Sequence, residues 1–193
     1  AGREPVAACG TARGAAATSA EAKLRILQAR QRTAGPGVLQ ELSRHYRKVS
    51  HWIWWFFPTN HVGSSEPEPK TAVTTQTAAQ LLRAPPDAWQ RVLVKVCELL
   101  AANGGTVGGV FPEEDWPRLQ YFVEFWGGPD GVVATASECD GRWLAGACEC
   151  IATALLRATV ADGSRAGGGA DGRRARGPTD ASVGVTPPPL PKR

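Results

Sequence analysis

The sequence lacks most of the patterns that identify a protein class directly. Its apolar runs fall short of the ~20 residues needed to span a bilayer, so we predict no transmembrane segment. The glycine-rich segment 104–109 does not end in Gly-Lys-Ser/Thr, which excludes a phosphate loop, and no Gly-x-Ser-x-Gly elbow is present. Methionine is absent even at position 1, so we expect residue 1 to be a processed or trimmed end.

The sequence contains five cysteines, an odd number, and their positions do not form a disulfide framework. The spacing fits neither a disulfide scaffold nor a zinc finger, so we predict no metal and no cofactor. A reducing compartment follows, and we expect an intracellular, cytoplasmic protein. The Ala-rich first 20 residues also have some features of an organelle transit segment, which stays an alternative. The cysteines are Cys9, Cys97, Cys139, Cys148 and Cys150.

The positive charge belongs to the two ends of the chain. Residues 1–36 and 163–193 each carry six Lys/Arg against two Asp/Glu, whereas residues 37–162 carry ten against fourteen. A folded part that is mildly acidic argues against a nucleic-acid-binding domain, which needs clustered cations on one face. We therefore expect solvated basic tails and no nucleic-acid partner.

Apolar spacing of three and four residues predicts an all-α fold. We expect a single compact domain of five to six helices over residues 20–160, with a disordered leader at 1–19 and a disordered Gly/Arg/Pro-rich tail at 161–193. A short strand at 131–134 is an alternative for one segment. The predicted helices cover 20–32 with a stop at Gly35-Pro36-Gly37, then about 38–57, 71–83, a helix capped by Asp87 that ends before Asn103, then 116–126 and 143–157.

One segment is exceptional: residues 50–59, Ser-His-Trp-Ile-Trp-Trp-Phe-Phe-Pro-Thr, hold three of the seven Trp and one of the three His. We call this the aromatic block. Each aromatic side chain removes roughly 150–250 Å² from water when buried, so the block is either a core anchor or a pocket wall. The Pro/Gly-rich loop 58–70 that follows is long enough to shape a pocket mouth.

The block also resembles a known family of small proteins, domain-of-unknown-function family 1810. The family pattern Ser-His-Trp-x-Trp-x-x-Phe-Pro is matched by Ser50, His51, Trp52, Trp54, Phe57 and Pro58. A later Phe-x-x-x-Asp-x-x-Lys-Leu pattern is similar to Phe111, Asp115, Arg118 and Leu119, with Arg in place of Lys. The likeness covers roughly residues 38–126. It implies an all-helical fold and supplies no reaction.

Two residues are candidates for catalysis. His51, beside three Trp, has the side chain of a general acid or base; the alternative is a core histidine bonded to nearby backbone. Asp115 is expected to orient His51 or to bind a ligand hydroxyl, or else to cap the helix that starts at Trp116. Cys97 paired with His51 is a further, less favoured nucleophile arrangement.

Four residues are candidates for ligand binding. Trp54 and Trp55 would line a pocket whose mouth includes Thr59, where the similar family has Gln. Arg118 would bind an anion through its two-pronged guanidinium, or else form a salt bridge with Glu114 or another surface acid. At the other end of the chain, Pro188, Pro191 and Arg193 form a Pro-x-x-Pro-x-Arg motif that fits an SH3-like groove.

Three functions remain open from the sequence. The preferred one is a ligand-binding or protein-interaction module with a Trp-lined pocket. The second is an enzyme that acts on a small polar or nucleotide-like ligand with His51 as acid/base. The third is a purely structural aromatic block. Whether His51 faces a cleft shared with Asp115 and Arg118 separates the second from the others.

Overall fold

The computed structural model describes residues 11–136 and 138–166, and all regular elements in these ranges are helices. This confirms the all-α prediction. Five helices have nine or more residues, and two are single turns of four residues. They are α1 Thr11–His45, α2 Ile53–Phe56, α3 Thr75–Arg83, α4 Asp87–Ala102, α5 Trp116–Gly127, α6 Val132–Thr135 and α7 Glu138–Ala166. Short 3-10 turns cover Val107–Gly109 and Glu113–Asp115.

Helical structure extends into both predicted tails. Helix α1 begins at Thr11, within the segment 1–19 predicted to be disordered, and α7 continues to Ala166, past the predicted boundary at 160. The Pro-x-x-Pro-x-Arg motif lies outside the described residues.

The predicted break at Gly35-Pro36-Gly37 is wrong, because α1 runs through it. Gly35 is buried where α1 crosses α4, and a Cβ there would overlap the side chain of Ala88. The glycine thus permits close packing of the two helices. A buried stripe continues on both sides of the tripeptide, with Leu24, Leu27, Gln31, Val38 and Leu42.

Helix α1 stops earlier than predicted, well before the aromatic block. Tyr46 has φ 57°, a left-handed conformation that ends the helix, and its N–H donates to Leu42 O at 3.0 Å. Tyr46 and Val49, which the helical pattern placed inward, are 65% and 60% exposed. The chain then turns before it enters α2.

The core lies among α1, α4, α5 and α7, with the aromatic block inserted between them. The inner face of α4 follows the helical spacing of its apolar residues, and the residues on this face are all buried: Trp89, Val92, Leu93, Val96, Leu99 and Leu100. Asp87 does not cap this helix, since Pro86 holds the cap position and the Asp87 carboxylate lies 3.6 Å from Arg91 Nη1. The segment at 131–134 forms the short helix α6 instead of a strand.

Helix α7 contains the stretch Gly141–Val160, which by length and composition alone is apolar enough to cross a membrane. Within the fold, 39% of this stretch is buried. Buried core helices of water-soluble proteins have the same composition, so this stretch does not by itself indicate a membrane span.

Candidate functional site

Half of the aromatic block belongs to the core. Trp52, Phe56 and Phe57 are 2% exposed or less. The Phe57 ring centroid lies 5.1 Å from that of Phe122 and 5.5 Å from that of Phe111, both in edge-to-face geometry. Such pairs add about 0.5–1.5 kcal/mol each beyond their buried area.

The backbone of the block is fixed by buried donors from the surrounding helices. Four consecutive carbonyls, those of residues 55–58, each accept a hydrogen bond from a side chain distant in sequence. This satisfies polar groups that would otherwise be costly inside the core. The donors are Gln31 Nε2 to Trp55 O (2.8 Å), Trp89 Nε1 to Phe56 O (2.9 Å), Arg118 Nε to Phe57 O (2.9 Å) and Trp126 Nε1 to Pro58 O (2.7 Å).

The turn before the block is held by Glu41, near the end of α1. Its Oε1 accepts hydrogen bonds from Val49 N (2.7 Å), Ser50 N (3.0 Å) and the Trp52 indole (2.8 Å). The Ser50 hydroxyl donates to Oε2. Burial raises the pKa of Glu41, but these hydrogen bonds outweigh it and hold the pKa below its ordinary value. Ser50 and Trp52 therefore serve to bind this carboxylate.

We expect Glu41→Gln to lower the free energy of unfolding by about 1–2 kcal/mol at pH 7, because charge-assisted hydrogen bonds become neutral ones. Since the pKa of Glu41 is lower in the folded state, its stabilisation is present above the unfolded pKa of about 4.3 and is lost as pH falls through the folded value. Urea unfolding at pH 7 and pH 3 should show the difference between variant and wild type shrinking at pH 3.

The matched control is Glu98→Gln. Glu98 lies on α4, and its exposed carboxylate is 3.1 Å from Lys95 Nζ. An exposed pair contributes little, so this variant should stay within about 0.5 kcal/mol of wild type at either pH. Equal losses for the two variants would refute the role of Glu41.

An open cavity of about 260 Å³ borders the block on the side of Trp54. The half-buried Trp54 indole forms one wall, and Arg118 lies beneath it with Cζ 5.0 Å from the ring centroid. Another part of the wall is the His61 ring stacked on Tyr121, with centroids 4.3 Å apart and an interplanar angle of 19°. Gly63, Ser64, Glu114 and Pro117 complete the lining together with Val62. We call this the Trp54 cavity.

Arg118 is 5% exposed and forms no salt bridge with Glu114 within the described residues. Its Nη1 donates to His61 O at 2.6 Å, and its buried Nη2 has no hydrogen-bond partner there. Burial lowers the pKa of Arg118 to about 10, and the nearby carboxylate of Glu66 opposes this shift. The guanidinium is therefore still charged at neutral pH.

The loop 58–70 is fastened at both ends. Arg118 holds it at His61 O, and Arg30 on α1 donates to Glu68 O at 2.8 Å. Between them, Gly63 lies so close to Trp54 that a Cβ would overlap the indole ring. The loop thus forms part of the cavity wall, as the sequence suggested for its pocket mouth.

The other two predicted binding residues do not line the Trp54 cavity. Trp55 points to the α1 side, where Arg30 Cζ lies 5.0 Å from its ring centroid. Thr59 is fully buried, and its Oγ1 accepts a hydrogen bond from His61 N at 3.0 Å. Thr59 therefore shapes the turn that carries His61.

The predicted catalytic pair is not brought into the cavity. His51 is exposed on the turn before α2, and neither it nor Asp115 lines the Trp54 cavity. The Asp115 carboxylate pairs with Lys48, whose Nζ is 2.7 Å away, and both side chains are buried. Asp115 occupies the N-cap position of α5, as the second alternative predicted, but its side chain makes no cap hydrogen bond.

Cys97 and Cys148 lack the character of nucleophiles. Burial raises the pKa of the Cys148 thiol to about 12 and, together with Cys150, raises that of Cys97 well above its ordinary value. These thiols stay protonated at neutral pH, which does not support Cys97 as a nucleophile. Among the residues with a described position, no group of three or more His, Cys, Asp and Glu is placed to hold a metal.

The sequence alone did not identify His61 and Tyr121 as cavity residues. It also did not identify Glu41, which holds the turn before the aromatic block, or Lys48, which pairs with Asp115. Only Tyr121 carried a usable signal, because it lies three residues after Arg118 and therefore on the same side of α5. Comparison with protein-family models, curated proteins and solved structures found no match for this chain.

Proposed function

We propose that the protein is a binding module whose small ligand lies in the Trp54 cavity. The observation that carries this is an aromatic wall left open beside a buried cation. Trp54 stays half-buried although its neighbours Trp52, Ile53 and Phe56 are buried in the core. Open aromatic faces with a few convergent polar groups are typical of ligand sites.

The lining favours a small, flat and polar ligand. A cavity of about 260 Å³ is slightly below the usual range of drug-sized pockets, so one aromatic ring system is a suitable size. The Trp54 indole and the stacked His61–Tyr121 pair offer ring faces. Ser64 and Glu114, which also line the cavity, carry a hydroxyl and a carboxylate that can accept hydrogen bonds from ring N–H groups. A nucleobase or a similar heterocycle fits this description.

The two other functions have less support. An enzyme with His51 as acid/base would need His51 in the cavity, where it does not lie. A purely structural block accounts for Trp52, Phe56 and Phe57 but assigns no role to the ring surface that Trp54 presents to the cavity. Protein interaction through the same cavity remains compatible, with a flat side chain as the ligand. Membership of the family that the block resembles remains a proposal, as do an SH3-like partner and a cytoplasmic location.

The test is thermal unfolding with and without free nucleobases and related heterocycles such as adenine, uracil and nicotinamide. At ten times Kd, a ligand stabilises the folded state by about 1.4 kcal/mol, which is about 3 °C or more in Tm for a chain of this size. We expect Trp54→Leu to abolish the shift, because it removes the ring face and the contact with Arg118.

The neighbouring tryptophan provides the control. Trp55→Leu makes the same chemical change one residue along, on the α1 side of the block. It should keep the full ligand-induced shift, whatever its effect on basal Tm. A shift lost equally in both variants, or no shift with any of these probes in the wild type, would refute the proposal.

A further inference from the structure

Helix α7 presents two large apolar side chains on its outward face. Leu156 and Val160, one turn apart, are 67% and 72% exposed. They are the two most exposed large apolar side chains among the described residues. Exposed apolar residues that are contiguous on a helix indicate an interaction surface.

The same face is self-complementary about Thr153. Gly146 lies seven residues before Thr153 and Val160 seven after, while Glu149 lies four before and Arg157 four after. Offsets of four and seven residues are one and two helical turns, so all five residues share one side of the helix. All five are exposed.

We propose that this face binds a second copy of the chain, with the two α7 helices antiparallel and crossing at Thr153. In this arrangement each Glu149 faces Arg157 of the other copy, and each Val160 faces Gly146. A Cβ at Gly146 would meet nothing within 4 Å, so there is open space for the valine. Glu149 and Arg157 of one chain are two turns apart and cannot pair with each other.

The surroundings of α7 fit helix packing. Open grooves flank the ridge on both sides. One, of about 340 Å³, is lined by Gly146, Thr153 and Arg157 together with Leu100 on α4. The other, of about 390 Å³, runs beside Leu156 against Val123 on α5. Ridges that insert into such grooves are the usual mode of contact between helices.

The charges favour a second copy over a lipid bilayer. Glu149 and Arg157 lie on the exposed face, and a charged side chain costs about 2.5–3.5 kcal/mol at the centre of a bilayer. Among the described side chains neither residue has an ion-pair partner within 4.0 Å, and Arg157 uses Nη1 to donate to the Gly104 carbonyl at 3.1 Å. An antiparallel copy would pair both at once.

The interface is confined to one helix and its flanking grooves, near the lower limit of about 1,200 Å² for stable interfaces, so we expect micromolar affinity. Sedimentation velocity of the full chain over about 1–200 µM should show a monomer–dimer equilibrium. Leu156→Lys should weaken it at least tenfold. Val49→Lys changes another exposed residue, at 60%, and should leave it unchanged.

A charge exchange tests the antiparallel register. Glu149→Arg and Arg157→Glu should each weaken dimerisation at least tenfold, because like charges then face each other. An equimolar mixture of the two variants should regain wild-type affinity, since one chain then carries both Arg and the other both Glu. Circular dichroism of each variant verifies folding before mixing.

Four outcomes would overturn the proposal. They are a wild-type chain that is monomeric at 200 µM, a dimer insensitive to Leu156→Lys, and a mixture that associates no better than its separate components. The fourth is a monomer that binds phosphatidylcholine vesicles through Leu156, which would assign this face to lipid.

Discussion

Lys48→Met is expected to lower the free energy of unfolding by about 3–5 kcal/mol. The Lys48 ammonium lies 2.7 Å from Asp115 Oδ2, and the two side chains are only 7% and 10% exposed. Removing the cation leaves a carboxylate inside the fold without its counter-charge, and this desolvated charge causes most of the loss. Urea unfolding at pH 7, followed by circular dichroism, measures the change.

A double variant distinguishes the net contribution of the ion pair from the cost of leaving one buried charge unpaired. Lys48→Met with Asp115→Leu removes both charges, and a buried ion pair replaced by apolar groups is often close to neutral. We expect the double variant to recover most of the stability lost in Lys48→Met. Arg91→Met, which breaks the exposed pair with Asp87 at 3.6 Å, should cost less than about 1 kcal/mol. Additive losses from the two buried substitutions would contradict this account.

The Lys48–Asp115 ion pair also gives Asp115 a structural role that requires no part in catalysis. The residue was attractive as a catalytic partner of His51 because it precedes an aromatic helix in a pattern similar to that of a known family. Its carboxylate is instead used to neutralise Lys48, whose backbone N–H donates to Val110 O at 2.8 Å. The ion pair thus joins the turn after α1 to the start of α5.

The second large effect is expected for Trp126→Ala, at about 3–5 kcal/mol. Trp126 is fully buried, and its ring centroid is 5.5 Å from that of Trp89 and 5.2 Å from that of Phe125. The substitution leaves a large cavity and also removes the donor to Pro58 O. Chemical denaturation with tryptophan fluorescence reports the change in stability.

Trp126→Phe isolates the hydrogen bond from the volume. It keeps most of the ring packing but leaves the Pro58 carbonyl without its 2.7 Å donor, so we expect a loss of about 1–3 kcal/mol. Trp55→Phe is the matched control, since the Trp55 indole N–H has no hydrogen-bond partner in the described structure. A Trp126→Phe variant as stable as Trp55→Phe would contradict the importance of this bond.

The helices that pack by a single apolar face could be predicted from the sequence. In α4 and α5 the apolar residues recur at helical spacing, and burial follows that spacing. The helical conformation of the Gly35-Pro36-Gly37 segment could not be predicted, because these residues locally favour a helix break. The fold overrides this signal, because Gly35 permits contact with Ala88 and Pro36 lies on the exposed side of α1, where water can solvate a carbonyl that lacks its helical N–H partner.

The candidate site was only partly predictable, because part of it depends on contacts between residues distant in sequence. Trp54 and Arg118 were identified by residue type, and the fold stacks one on the other. The partition of Trp54 and Trp55 to opposite sides depends on the early end of α1 and the turn held by Glu41. His61 reaches the cavity only because the loop is tied to Arg118, a contact across 57 positions of sequence.

The four carbonyl contacts of residues 55–58 have a consequence for how the chain folds. Their donors are 24, 33, 61 and 68 positions away in sequence, on three different helices. Contacts of such separation form slowly, because the intervening chain must first lose its freedom. We therefore expect that the aromatic block does not act as a local nucleus and reaches its final conformation only after α1, α4 and α5 have met around it.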